Sequence, residues 1–143
     1  MSILILDASV AAKWFLPSAG EPLAEEAAIL LRRYTEGDIE FAVPDLFWAE
    51  TGNILWKSVR TGRWSGKSAT HALTAMLHYG FPTVASHELA DSALAIALST
   101  GRTVYDAMYL ALAVQRNADF ITADERLVNS LATHWPVRWL GVL

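Results

Sequence analysis

Val104–Leu127 reads VYDAMYLALAVQRNADFITADERL, a helix followed by a short strand and the start of another helix. Asp106 stands at the head of the first helical run, and Asp124 follows the strand Phe120–Thr122. In an α/β protein, strand ends and helix starts border the crevice outside the sheet, where ligands gather. Two acids placed there form half of a cation site, provided the rest of the chain supplies the other half.

Working outward, Ile3–Leu6 followed by Asp7 has the pattern of a buried parallel strand. Ser9 is expected to open a short helix over Val10–Phe15, ended by Pro17. Pro22 suits the first turn of the next helix, with Glu25 and Glu26 near its positive end and Leu23, Ala27, Leu30, Leu31 and Tyr34 on one face. A second strand is expected over Ile39–Val43, and then a helix capped by Asp45 that ends near Gly62. Ser65 caps a fourth helix up to Gly80. Phe81–Ala85 reads as a third strand, Glu88–Thr100 as a helix, and Val137–Leu140 as an edge strand. Strands alternating with helices imply an α/β fold with a mostly parallel central sheet. No linker or repeat interrupts residues 1–143, so one domain is expected.

The chain is 53% hydrophobic and 18% charged, with a mean hydropathy of +0.27. That is too apolar for disorder and implies some apolar surface covered by a partner, a homodimer among the options. No apolar run approaches the roughly 20 residues that span a bilayer. The start MSILILDASV lacks a basic stretch and is read as a strand, not a signal peptide. The absence of cysteine excludes thiolate chemistry and fits a cytoplasmic setting. A net charge of −4 argues against non-specific nucleic-acid affinity, unless the acids are gathered around a cation that offsets them.

Asp7, Asp106 and Asp124 each have an ordinary explanation as helix-entry or capping residues. Glu50 does not. Its neighbours at helical spacing are Leu46, Phe47, Asn53 and Ile54, with no Lys or Arg on the adjoining turns. An ionised carboxylate on an apolar stripe has to be neutralised, ion-paired or bound to a cation. Four carboxylates brought together repel, and an all-oxygen set suits Mg²⁺ or Mn²⁺. Such an ion can polarise a phosphoryl oxygen and activate water, the chemistry of phosphodiester cleavage.

Four short stretches then resemble a known family: Asp7-Ala8-Ser9-Val10, Glu50 with Asn53 and Leu55, Tyr105-Asp106-Ala107 with Tyr109-Leu110-Ala111-Leu112-Ala113, and Thr122-Ala123-Asp124 before Leu127. In this order they are similar to the PIN domain, and more closely to the VapC toxins of toxin–antitoxin pairs. The resemblance implies a three-layer α/β/α sandwich and a Mg²⁺- or Mn²⁺-dependent endoribonuclease held by a cognate antitoxin. It carries the acidic set over as Asp7, Glu50, Asp106 and Asp124, with Ser9 and Thr122 as supports.

Lys57, Arg60, Arg63 and Lys67, interleaved with Trp56 and Trp64, are candidates for an RNA-backbone track, and equally fit a solvated helix end. Arg102 is a further phosphate-contact candidate. Trp48, Gly52, Leu55, Trp56 and Val59 make a second apolar face on the Glu50 helix, suited to a second copy of the chain or an antitoxin. The four histidines lack metal-ligand spacing. Two other classes compete with the nuclease. A receiver-like phosphoacceptor domain expects paired early acids and a late lysine, yet no lysine follows Lys67. A silent binding module has no use for so costly a group as Glu50.

Overall fold

The computed structural model describes residues 2–143 and builds one five-stranded sheet around the N-terminal strand. β1 (Ser2–Leu6) is apolar on both faces, and its last three residues are buried. It pairs in parallel with β2 (Ile39–Pro44) on one side and β4 (Asp119–Thr122) on the other, Leu4 lying opposite both Phe41 and Asp119. β3 (Thr83–Val84) and β5 (Val137–Trp139) complete the order β3-β2-β1-β4-β5, every pair parallel. Pro82, which has no N–H to offer a neighbour, immediately precedes β3 and suits the edge this strand occupies.

The connections are α1 (Ala8–Ala11), which runs into a 3₁₀ turn at Ala12–Trp14, then α2 (Ala24–Thr35), α3 (Leu46–Arg60), α4 (Gly66–His78), α5 (Ser86–Thr100), α6 (Val104–Arg116) and α7 (Glu125–Leu131). From β1 the chain steps outward through β2 to β3, then returns past β1 to β4 and β5. Right-handed crossovers therefore place the helices before and after β3 on opposite faces, giving three layers, α/β/α. The reversal opens a crevice at the carboxyl ends of β1 and β4. One apolar core, including Ile5, Leu6, Val10, Phe47, Leu110 and Phe120, fills the space between layers.

An aromatic cluster closes one side of that core. Phe81 stacks on Tyr79 with centroids 5.4 Å apart and planes at 6°, and on Trp48 at 6.0 Å and 19°. Tyr34 stacks on Phe41 at 5.0 Å. Such pairs add about 0.5–1.5 kcal/mol each beyond area burial. Trp48 therefore belongs to this cluster, its Nε1 donating to Thr83 Oγ1 at 3.1 Å, instead of serving an outer apolar face. Leu55 is likewise buried, in a small core with Ala12, Leu16 and Ala72 of α4. Of the expected second face, Trp56 is the large side chain left exposed, at 56%. No helix among the described residues is long and apolar enough to cross a membrane.

Helix starts differ from the sequence expectation at α1, α2, α5 (Ser86, not Glu88) and α6 (Val104, ahead of Asp106), and the cap of α3 differs as well. α1 begins at Ala8, not after Ser9, because Ser9 Oγ donates to Asp7 and is not used as a cap. α2 begins at Ala24, because Lys13 Nζ binds both the Pro22 carbonyl and the Glu21 carboxylate, holding that segment outside the helix. Asp45 precedes α3 but already has helical backbone angles, so its side chain cannot turn back onto its own helix. It reaches across to α5 and accepts the backbone N–H of Ser86 at 2.9 Å together with the Ser86 hydroxyl.

Those bonds from Ser86 hold the Asp45 carboxyl below its ordinary value of 3.8. Asp45→Ala is expected to cost about 1–2 kcal/mol at neutral pH, the usual range for a lost cap. The contribution is present above 3.8 and is lost as pH falls through the depressed value of the folded state. Denaturant melts of both proteins at neutral and at acidic pH test this. A difference that persists undiminished in acid would exclude a carboxylate cap.

Candidate metal and nuclease site

Asp7 leaves the end of β1 where the backbone turns from strand into α1. Its Oδ2 accepts the Thr122 hydroxyl at 2.6 Å and the Ser9 hydroxyl at 2.8 Å. Thr122 is the last residue of β4 and fully buried, so the two central strands are tied at their carboxyl ends through this carboxylate. Ser9 Oγ also accepts Ala123 N–H at 3.3 Å, and Thr122 Oγ1 accepts Asp124 N–H at 3.1 Å. Ser9 and Thr122 thus both donate to Asp7. Both hydroxyl bonds fall on Oδ2, leaving Oδ1 outside them.

Glu50 projects from the second turn of α3 and is half-buried. It makes no ion pair among the described residues. Its Oε1 instead accepts the Tyr109 hydroxyl at 2.6 Å. Tyr109 is 2% exposed on the inner face of α6 and stacks on Phe120 at 4.8 Å and 15°. Burial, and then the negative charges of Asp7 and Glu50, push this phenol far above its ordinary value, so it stays protonated and donates.

In sequence Tyr109 carries no overt sign of a site role, because a tyrosine within a Leu/Ala stripe passes for core. Its position three residues after Asp106, hence on the same side of α6, was the available signal. Tyr109→Phe is expected to lower activity by about 10–100-fold, as for other groups that orient a site carboxylate, at a stability cost of about 1 kcal/mol. Parallel kinetics and melts check this. Unchanged kinetics would show the bond to be structural alone.

Asp106 is not the cap of α6. Thr103 holds that place, its Oγ1 accepting Asp106 N–H at 3.2 Å. The Asp106 carboxylate is thereby released toward the crevice and pairs with Arg102 Nη2 at 3.3 Å. Asp124 does cap its helix, accepting Leu127 N–H at 3.2 Å through Oδ1.

All four acids, Asp7, Glu50, Asp106 and Asp124, line one open cleft of about 410 Å³ with Ser9 and Asn53. Burial pushes the Asp7 carboxyl up against the lowering effect of its two hydroxyl partners, and the Asp106 charge adds to the rise. Glu50 is likewise raised by burial, with Tyr109 opposing and the charges of Asp7 and Asp106 adding. The donor set is therefore all-oxygen and crowded with negative charge, which fits a hard divalent cation. No three acids or histidines among the described residues are drawn tightly enough together to form a finished coordination shell.

The basic candidates separate. Lys57 and Arg63 line a second cleft beside the first. Arg60 lines neither, its guanidinium lying over the Trp56 ring 5.5 Å from the centroid. Arg102 is engaged by Asp106 at the rim of the acidic cleft.

A parallel sheet with acids at the carboxyl ends of its two switch-point strands defines a recognisable class. The chain belongs to the PIN domain family, whose model matches residues 4–130. It is 32% identical over 127 residues to Ribonuclease VapC3 of Pyrobaculum aerophilum, covering 87% of this chain and 91% of that one. In structure it is similar to PAE2754 of the same organism, with a TM-score of 0.70, 24% identity and coverage of 99% and 92%. It is also similar to a chain of a toxin–antitoxin complex from Klebsiella pneumoniae, with a TM-score of 0.62, 17% identity and coverage of 94% and 95%. Membership of this family sets the receiver-like alternative aside.

Proposed function

We propose that the protein is a Mg²⁺- or Mn²⁺-dependent endoribonuclease, the toxin of a toxin–antitoxin pair. The observation that carries this reading is the convergence of Asp7, Glu50, Asp106 and Asp124 on one cleft. Asp7 and Asp106 would hold the ion directly, while Glu50 and Asp124 would bind it or orient its water. A bound divalent ion supplies a Lewis acid for the phosphoryl oxygen and lowers the pKa of water. Ser9 and Thr122 fix the Asp7 carboxylate, and Tyr109 fixes Glu50 through Oε1. Glu50, with its raised pKa, is placed to take a proton from the attacking water. The name of the ribonuclease relative supports RNA as the substrate, and the likeness to a chain of a toxin–antitoxin complex supports an antitoxin partner. A second copy of this chain is the other partner we expect, given exposed apolar side chains such as Trp56 and Leu98.

The test is incubation of antitoxin-free protein with structured RNA, with Mg²⁺ or Mn²⁺ and with chelator. Cleavage dependent on the ion is expected. Cleavage that survives chelator would refute the cation's role, and intact RNA in every arm would leave the fold as a binding module.

A further inference from the structure

The cleft beside the acidic one has the opposite charge. It is an open groove of about 470 Å³, lined among others by Lys13, Glu21, Lys57 and Arg63, and it shares Ser9, Asn53 and Ile54 with the acidic cleft. The two clefts adjoin at these residues, four carboxylates in one and three cations against one carboxylate in the other, so a strand crossing both would follow a single trough. Glu21 organises the basic end. Lys13 Nζ contacts its Oε2 at 2.7 Å and Arg63 Nη2 its Oε1 at 3.0 Å, with the Lys13 and Glu21 side chains each only 8% exposed. Burial alone would raise the Glu21 carboxyl, but the bonds from Lys13 and Arg63 outweigh it and hold the group ionised, below its ordinary 4.5. Arg63 is further anchored on the Pro17 carbonyl at 3.3 Å. Lys57 makes no ion pair among the described residues and is left for a ligand.

From this juxtaposition we propose that the Lys13–Lys57–Arg63 groove is a phosphate subsite. It takes a backbone phosphate next to the one being cleaved, so that an RNA strand lies along the trough across Ser9 and Asn53. The inference rests on the nuclease reading of the acidic cleft and adds where the flanking strand goes. A strand with a single phosphate in the acidic cleft gains nothing from cations beyond it, whereas a longer strand places a second negative charge among them. The fixed ion pairs serve to hold Lys13 and Arg63 in place, so the subsite is preformed and costs little ordering on binding. Arg60, in the same basic run of sequence, lies over Trp56 and outside this groove.

The test uses Lys57→Glu, which leaves the Lys13–Glu21–Arg63 ion pairs untouched, and Arg32→Glu, a charge reversal on the exposed face of α2. Steady-state cleavage of an unstructured RNA 10-mer is followed over a range of salt. Lys57→Glu is expected to raise KM several-fold with kcat little changed, and to flatten the dependence of log(kcat/KM) on log salt by about 0.7, the value for one lost single-strand phosphate contact. Arg32→Glu should match the native chain. A Lys57→Glu enzyme with native KM and native salt slope overturns the subsite while leaving the nuclease reading intact. A Lys57→Glu effect confined to antitoxin affinity makes the groove a protein contact and overturns it as well. If the native chain cleaves no RNA, direct binding of the same 10-mer decides the matter. Binding weakened by Lys57→Glu but not by Arg32→Glu upholds the phosphate groove, and binding indifferent to both removes it.

Discussion

An Asp7→Asn variant is expected to cleave RNA on the order of 10²–10³-fold more slowly than the native chain, the usual effect of removing one preorganised charged contact to a transition state. Without divalent ions, the same variant should melt at neutral pH at an equal or higher temperature. The combination follows from the two faces of the carboxylate. Its Oδ2 is an acceptor for Ser9 and Thr122, a role an amide oxygen performs equally well. Its charge, in contrast, is a burden to the fold, since burial raises the carboxyl's pKa despite both hydroxyls. Asparagine keeps the tie between β1 and β4, removes the burden, and leaves an amide where a cation needs an anionic ligand. Kinetics and thermal melts on the same preparation decide it. Full activity would exclude Asp7 as a ligand, and a collapse in melting temperature would make the charge itself structural.

The second large effect is expected from the ion. Saturating Mg²⁺ or Mn²⁺, at a hundredfold excess over Kd, should stabilise the protein by about 2.7 kcal/mol, on the order of 10 °C in Tm. The size of the gain should depend on pH in a defined direction. Asp7 and Glu50 titrate in the folded chain above their ordinary values of 3.8 and 4.5. Their contribution to ion-free stability is therefore complete below those values and is lost as pH rises through the raised folded ones. A cation favours the ionised forms, so its stabilising effect grows over the same rise. Ion-free protein should thus melt higher in mild acid than at neutral pH, with added Mg²⁺ closing or reversing the gap. Melts at several pH values with and without chelator provide the measurement. A gain independent of pH would mean the ion binds away from these two carboxyls.

The order of strands and helices was legible because each buried strand is a short apolar run ended by an acid, proline or turn residue. Glu50 was legible for a complementary reason: a charge on an apolar helical stripe is an inconsistency that local structure cannot resolve. What resolves it, Tyr109, was hidden by a separation of 59 residues and by its resemblance to ordinary core. Caps went astray in the same way. Asp106 and Asp45 are both good caps by type, but Thr103 stands three residues ahead of Asp106, and Ser86 draws Asp45 toward another helix. Lys13 and Glu21 carried no sequence signal, because their meaning lies in Arg63, which joins them only in three dimensions.

The bond from Thr122 to Asp7 joins residues 115 positions apart. No fragment of the growing chain that stops short of β4 can align this carboxylate, and Asp124, which caps α7, comes later still. On the nuclease reading, then, the site is incomplete until β4 has been made. Its cutting edge comes into being with the closure of the sheet's central seam, once β4 is made. A partner that binds the nascent chain before that closure meets a protein that has not yet become a hazard.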